Sequence, residues 1–220
     1  EKQYQEELDA LELRLNDMAR EAMGDTPISL TSPDDRSMLL YSRKVKDKTT
    51  WSNLFNLGME RRGATMKPKQ RTRMSGKDFR IAVRNNTDVV YRTIGEQCRT
   101  CVGFGKVRPV RKDGTPSKGV LYRPTNEVAG FKMVPRNVRD VAAAGFKTDK
   151  DTLAEREMEL SGPAREFASA YVRYNALRMY LGTFVEGMKN NVDDHGIIHP
   201  EFMQCVTATG RLSSRNPNFQ

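Results

Sequence analysis

Apolar residues over positions 4–23 recur at alternating steps of four and three: Tyr4, Leu8, Leu11, Leu15, Met18 and Ala22. That spacing lays one stripe along a helix, and Gly24 supplies its stop. Leu30-Thr31-Ser32-Pro33-Asp34-Asp35 then reads as a second helix start, with Ser32 as N-cap, Pro33 first and acids in the first turn. Further on, Thr148 is placed to cap a short helix, and Pro163 opens a long one. Phe167, Tyr171, Tyr174, Leu177, Leu181, Phe184 and Met188 share one face of it. Aromatics at a helical period are read as core before they are read as base-stacking platforms. Asp193-Asp194-His195-Gly196 is turn chemistry, in which neighbouring carboxylates point apart into water rather than at one metal. Residues 197–207 follow as an extended stretch.

Between these helices, from Arg61 to Arg139, no helical or strand period is sustained. Patches such as Ile81-Ala82-Val83 and Val89-Val90-Tyr91 alternate with basic clusters, so short strands, turns and loops are expected. Gly105 to Gly119 reads as a basic hairpin turning at Asp113-Gly114 and carrying Arg111 and Lys112. The expected fold is therefore α+β: mainly elongated helices, a basic insertion of irregular chain and short strands, and a C-terminal β-hairpin.

Charge sharpens this picture. The net +9 conceals 20 Lys/Arg against 5 Asp/Glu over 61–139, while the remainder is net acidic. Such a block is either a polyanion surface or a solvated, partly disordered insertion, and its sequence alone fits both. With 37% hydrophobic and 30% charged residues, the core of these 220 residues must be thin or the molecule elongated. No apolar run approaches the roughly 18 residues of a membrane span. The first residues form neither a signal nor a transit peptide. Three cysteines make no disulfide framework, which indicates a reducing, cytoplasmic setting. Without an initial Met, and stopping at Gln220 inside a motif, the sequence reads as a fragment.

Cys98-Arg99-Thr100-Cys101-Val102-Gly103-Phe104-Gly105 resembles half of a zinc knuckle of the J-protein chaperone type. Cys98 and Cys101 could share a zinc, but a structural site needs four ligands and no second Cys-x-x-Cys exists. Cys205, His195 and His199 lie far off in sequence. A relic knuckle or a reduced dithiol hairpin fits the pattern as well, and no βαβ pattern supports a thioredoxin-like role.

Thr207 to Gln220 is the most informative stretch. It is rich in small residues, hydroxyls and amides, with Arg211 and Arg215, and offers little for a core. These groups suit a polar polymer. The minor groove presents acceptors at similar places on every base pair, so a cation aimed there tests pair geometry and ignores sequence. Arg211 has the fixed planar fork for that task, Gly210 allows close backbone approach, and Thr209, Ser213 and Ser214 offer hydroxyls to phosphates.

Thr209-Gly210-Arg211-Leu212-Ser213-Ser214 followed by Asn216-Pro217-Asn218-Phe219-Gln220 resembles the signature that leads from thumb to palm in family A DNA polymerases. His199, Gln204, Thr207, Thr209, Gly210 and Arg211 keep that family's spacing, and Phe219 stands where Leu is usual. The resemblance implies four segments. They are thumb-base helices over 1–60, a basic insertion over 61–139, the main thumb helices over 140–192 and the first palm strands over 193–220. It implies contacts to primer–template DNA from Thr207, Thr209, Gly210, Arg211, Ser213, Ser214, Asn218 and Gln220. Arg178, Arg173, Arg111 and Lys112 would support them on phosphates, since Met179 and Leu181 stand where relatives often carry Lys. The complete enzyme would bind dNTP and use Mg2+ for two-metal nucleotidyl transfer. The family's carboxylate motifs do not occur in these 220 residues, so this segment is expected to be inactive alone. The insertion points to a phage member acting in its host's cytoplasm, with a processivity factor as a candidate partner. A non-enzymatic nucleic-acid-binding module and a structural helical adaptor are the competing classes.

Overall fold

The computed structural model describes residues 2–95, 122–204 and 210–215. Helix α1 runs Lys2–Met23 and buries Leu15, Ala19 and Met23. This line steps by four, whereas the sequence stripe passes through Met18 and Ala22, which are half-buried. The helix stops where the pattern expected. Gly24 takes φ +82°, donates to the Arg20 carbonyl at 2.8 Å, and would place any Cβ 1.9 Å from the Thr93 carbonyl oxygen. Helix α2, Pro33–Tyr41, begins as expected, with Ser32 Oγ accepting the Asp35 amide.

Among the described residues every sheet is a two-stranded antiparallel pair. Strand β1 (Arg43–Val45) leads into helix α3 (Lys48–Leu54), capped by the Asp47 carboxylate. An exposed hairpin of β2 (Met59–Arg62) and β3 (Thr65–Pro68) follows. The chain then forms helix α4, Gly76–Asn86, inside the block expected to hold only strands and loops. Ser75 caps α4 and Phe79 and Val83 anchor it. Two buried residues one turn apart are too short a stripe to stand out in sequence, and tertiary packing completes the helix. Strand β4 (Thr87–Val89) returns to pair with β1, and β5 (Tyr91–Gly95) pairs with β6 (Tyr122–Val128). Short strands β7 (Val141–Ala142) and β8 (Gly145–Phe146) close the region.

These elements surround an aromatic core. Tyr41 and Trp51 both pack on Phe146, with centroids 4.6 and 5.6 Å away. Trp51 also meets Phe55 at 4.7 Å, and Phe55 meets Phe79 at 6.1 Å. Burying each such ring contributes about 2–3 kcal/mol. The Trp51 indole donates to the Ala142 carbonyl at 2.9 Å, so its polar edge is satisfied.

Helix α5 spans Lys150–Arg156, and its cap is Asp149 rather than Thr148. Thr148 is buried, with its hydroxyl accepting from Arg36 Nε at 3.2 Å, while the neighbouring carboxylate binds the Thr152 amide. Helix α6, Gly162–Met179, passes through a π-helical turn at Tyr180–Val185 into α7, Glu186–Lys189. The expected stripe is buried at Phe167, Tyr171, Tyr174, Leu177 and Leu181. Strands β9 (Glu201–Met203) and β10 (Ser213–Arg215) form the C-terminal hairpin, giving the α+β class expected. Two compact units result: residues 14–169, and residues 1–13 with 170–220.

Candidate nucleic-acid interface

Approach to the C-terminal hairpin is fixed by a turn. Asp193 Oδ1 accepts the amides of His195 and Ile197 at 2.9 and 2.8 Å, and Oδ2 contacts His199 Nε2 at 2.9 Å. The Ile197 amide, then the His199 hydrogen bond, hold the Asp193 carboxyl below the usual carboxylate range. This is the turn expected from sequence, with the carboxylate committed to local backbone.

From there β9 pairs with β10 in the register Ser213↔Met203, Ser214↔Phe202 and Arg215↔Glu201. The last pair is also an ion pair, which pins the register. Alternation along β10 separates the two candidate hydroxyls: Ser214 is buried and engaged within the chain, while Ser213 on the other face is half-buried. Arg211 and Leu212 are exposed just before the strand. Gly210 takes φ +70°, with no atom of the described residues near a Cβ built on it. A glycine is favoured there by the left-handed backbone.

Arg178 is exposed in the last turn of α6. Arg173, one turn or so earlier, is exposed and paired. Its guanidinium grips Glu7 through two bonds of 2.7 and 2.9 Å, tying α6 to the start of α1. Thr207, Thr209, Asn218, Gln220, Arg111 and Lys112 lie outside the described residues, as do Cys98 and Cys101 with their zinc reading.

The structure also sorts the basic block. Arg71 donates to the carbonyls of Val138 and Val141 at 3.1 and 2.6 Å, and Arg136 binds Asp140 and Glu159. These cations hold the fold. Residues 61–70, with Arg61, Arg62, Lys67 and Lys69, are exposed along the β2–β3 hairpin. The sequence marks these clusters without showing that they stand on one projecting hairpin. Residues 61–139 also supply the buried side chains Phe79, Val83, Ala129, Met133 and Val138, so the block is built into the fold of its unit.

No group of three or more His, Cys, Asp or Glu among the described residues could hold a metal ion. The described side chains therefore do not fit the Mg2+ that the resemblance implies. Among the described residues, no helix is long and apolar enough to cross a membrane.

An exposed arginine thus follows a left-handed glycine just before the C-terminal hairpin. Residues 129–220 match the model of DNA polymerase family A. It is 37% identical to the DNA polymerase I of Treponema pallidum over 76 residues, 34% of this chain and 7% of that protein. It is 35% identical to the DNA polymerase I of Geobacillus stearothermophilus over 77 residues, 34% of this chain and 8% of that protein. With the DNA polymerase I of Lactococcus lactis subsp. cremoris it shares 29% identity over 90 residues, 41% of this chain and 10% of that protein. The aligned part thus spans 10% or less of the length of these curated relatives.

Proposed function

We propose that this chain is the primer–template-binding part of a DNA-directed DNA polymerase, which extends a primer in the complete protein. The observation that carries the reading is the family match over 129–220, running through the hairpin on which Arg211 is exposed. In this reading residues 1–60 and 140–192 form the thumb, 193–220 the first palm strands, and 61–139 an insertion. Arg211 donates to minor-groove acceptors at the primer terminus, where donor geometry tests the shape of a pair without reading its identity. Ser213 and Arg178 contact phosphates, and Thr207, Thr209, Asn218 and Gln220 add further DNA contacts in this reading. Ser214 supports the hairpin from its buried side. Nucleotide and Mg2+ would be held by groups other than the described carboxylates, so no catalytic step is assigned to the described residues.

The test is Arg211→Ala in the complete protein. Losing a charged donor at the terminal pair should lower kcat/KM for primer extension by about 10- to 100-fold. It should also shrink the ratio of matched to mismatched extension. Wild-type extension with wild-type mismatch discrimination would refute the role.

A further inference from the structure

One cleft in the unit of residues 14–169 combines an aliphatic floor with a cationic rim. Its volume is about 500 Å³, and Val83, Val89, Val128, Met133, Val134 and Pro135 supply most of its apolar lining. Arg43, Arg80, Arg84 and Lys132 stand around it, and no carboxylate lines it.

The local structure explains that composition. Arg80 and Arg84 are one turn apart on α4, beside the buried Phe79 and Val83, so both cations flank the apolar stripe. Arg43 on β1 lies directly opposite Val89 on β4, which places the two side chains together on one face. The same register sends Asp88 to the other face, where it pairs with Lys46 at 3.6 Å. Alternation thus turns the β4 carboxylate away from the cleft, and Glu127, next to Val128 on β6, pairs with Arg92 instead. Lys132 sits on an extended strap anchored by its own amide to Ser42 Oγ at 2.9 Å and by the Phe131 and Met133 amides to the Leu39 and Leu40 carbonyls. Both Ser42 and Lys132 occupy left-handed backbone, φ 57° and 56°, although neither is glycine. Two such residues meeting at one cleft mark a conformation held in place by its surroundings.

The cations themselves are distinctive. Arg62, Arg92, Arg136, Arg156 and Arg173 each pair with a carboxylate. Among the described residues, Arg43, Arg80, Arg84 and Lys132 pair with none; Arg43 donates only to the Thr87 hydroxyl at 3.1 Å. Four like charges converging on a wall of exposed aliphatic surface, Val134 being 69% and Val89 38% exposed, lack both their counterions and their apolar cover.

We propose that this cleft is a docking site for an acidic, hydrophobic peptide segment of a partner protein. One or two aliphatic side chains would fill the floor while flanking carboxylates pair with the rim. The aliphatic character of the floor decides against a nucleic-acid strand. Phe79 and Tyr41, the aromatic residues of the lining, are each 2% exposed and offer no face for base stacking. This site stands independently of the polymerase reading.

The experiment is fluorescence anisotropy with the full chain. The probes are a labelled octapeptide of four Asp/Glu, two Leu and two Gly, its Leu→Ser counterpart, and an oligo-dT strand. The octapeptide should bind, and Leu→Ser replacement should weaken it about tenfold or more. Arg80→Glu with Arg84→Glu should weaken it by a similar factor, since attraction becomes repulsion at two rim positions. Val134→Asp, at an exposed position that cannot collapse the core, should also weaken it. Arg61→Glu with Lys69→Glu changes net charge equally on the distant-in-sequence β2–β3 hairpin and should leave peptide binding intact. The proposal is overturned by undetectable octapeptide binding, by equal binding of the Leu→Ser peptide, or by equal loss in both charge-reversal pairs. It is overturned in favour of nucleic acid if oligo-dT binds more tightly and loses that binding in the Arg80/Arg84 variant.

Discussion

How firmly an arginine of this chain is tied into the fold is set by what lies within 4 Å of its guanidinium. Arg156 is 5% exposed, donates to the Val134 carbonyl at 2.8 Å, and stands 3.3 Å from Glu159 and 3.9 Å from the buried Asp140. Asp140 in turn accepts the Arg136 amide at 2.7 Å. Tyr41 joins the same cluster, and burial pushes its phenol up against the opposing pull of Arg156. Removing the Asp140 carboxylate leaves the buried Arg156 guanidinium with Glu159 as its one carboxylate partner among the described residues and takes the acceptor from the Arg136 amide. Asp140→Ala should therefore destabilise the chain by about 3 kcal/mol, read as a shifted urea midpoint at unchanged slope. Arg211 is exposed at the end of a glycine bend. Sequence showed Arg211 by the motif around it. It could not rank Arg71 and Arg173, because their partners are distant: Arg173 and Glu7 are 166 positions apart.

At the scale of elements, caps account for most of the boundaries. Ser32, Asp47, Ser75 and Asp149 each accept an amide in the first turn of their helix. Asp149→Ala should cost α5 about 1 kcal/mol, measured by thermal melting at neutral pH. The same carboxylate gives a pH dependence. Partial burial raises its pKa, but the backbone and side-chain bonds from Thr152 outweigh that and hold it below its ordinary value. A group depressed in the fold stabilises above its unfolded pKa and loses that contribution as pH falls through the folded one. Melting temperature should therefore fall on acidification below about pH 4, and less steeply in Asp149→Asn, which keeps a cap but cannot titrate. Caps were legible only in part. Ser32 announced itself through Ser-Pro-Asp-Asp, whereas Thr148 and Asp149 are adjacent and only packing against Arg36 assigned the cap to the second.

For the whole molecule, the basic block is the informative feature. Because it contributes buried residues to its unit, removing it wholesale would unfold the structure, and surface substitution is the proper probe. Replacing Arg61, Lys67 and Lys69 on the exposed hairpin with Ser should weaken duplex binding. If these groups touch phosphates, the slope of log K against log salt should flatten by about 0.9 for each phosphate no longer neutralised. An unchanged slope would assign the hairpin to another task. The acidic-peptide cleft draws Arg80, Arg84 and Lys132 from the same block and Arg43 from outside it, so the two sets of variants should separate cleanly.

What the sequence determined by itself was local: helix α1 though not its buried line, most of the α6 stripe, the Ser32 cap, the Gly24 stop, the Asp193 turn and the family signature. Each depends on residues within a few positions of one another, where helical period and cap geometry act directly. Tertiary structure alone decided that Gly76–Asn86 is a helix and that Ser214 faces inward while Arg211 does not. It also brought Arg43, Arg80, Arg84 and Lys132 to one cleft. Those outcomes depend on which distant carbonyls, carboxylates and apolar faces the folded chain places beside each residue, and no local pattern encodes that choice.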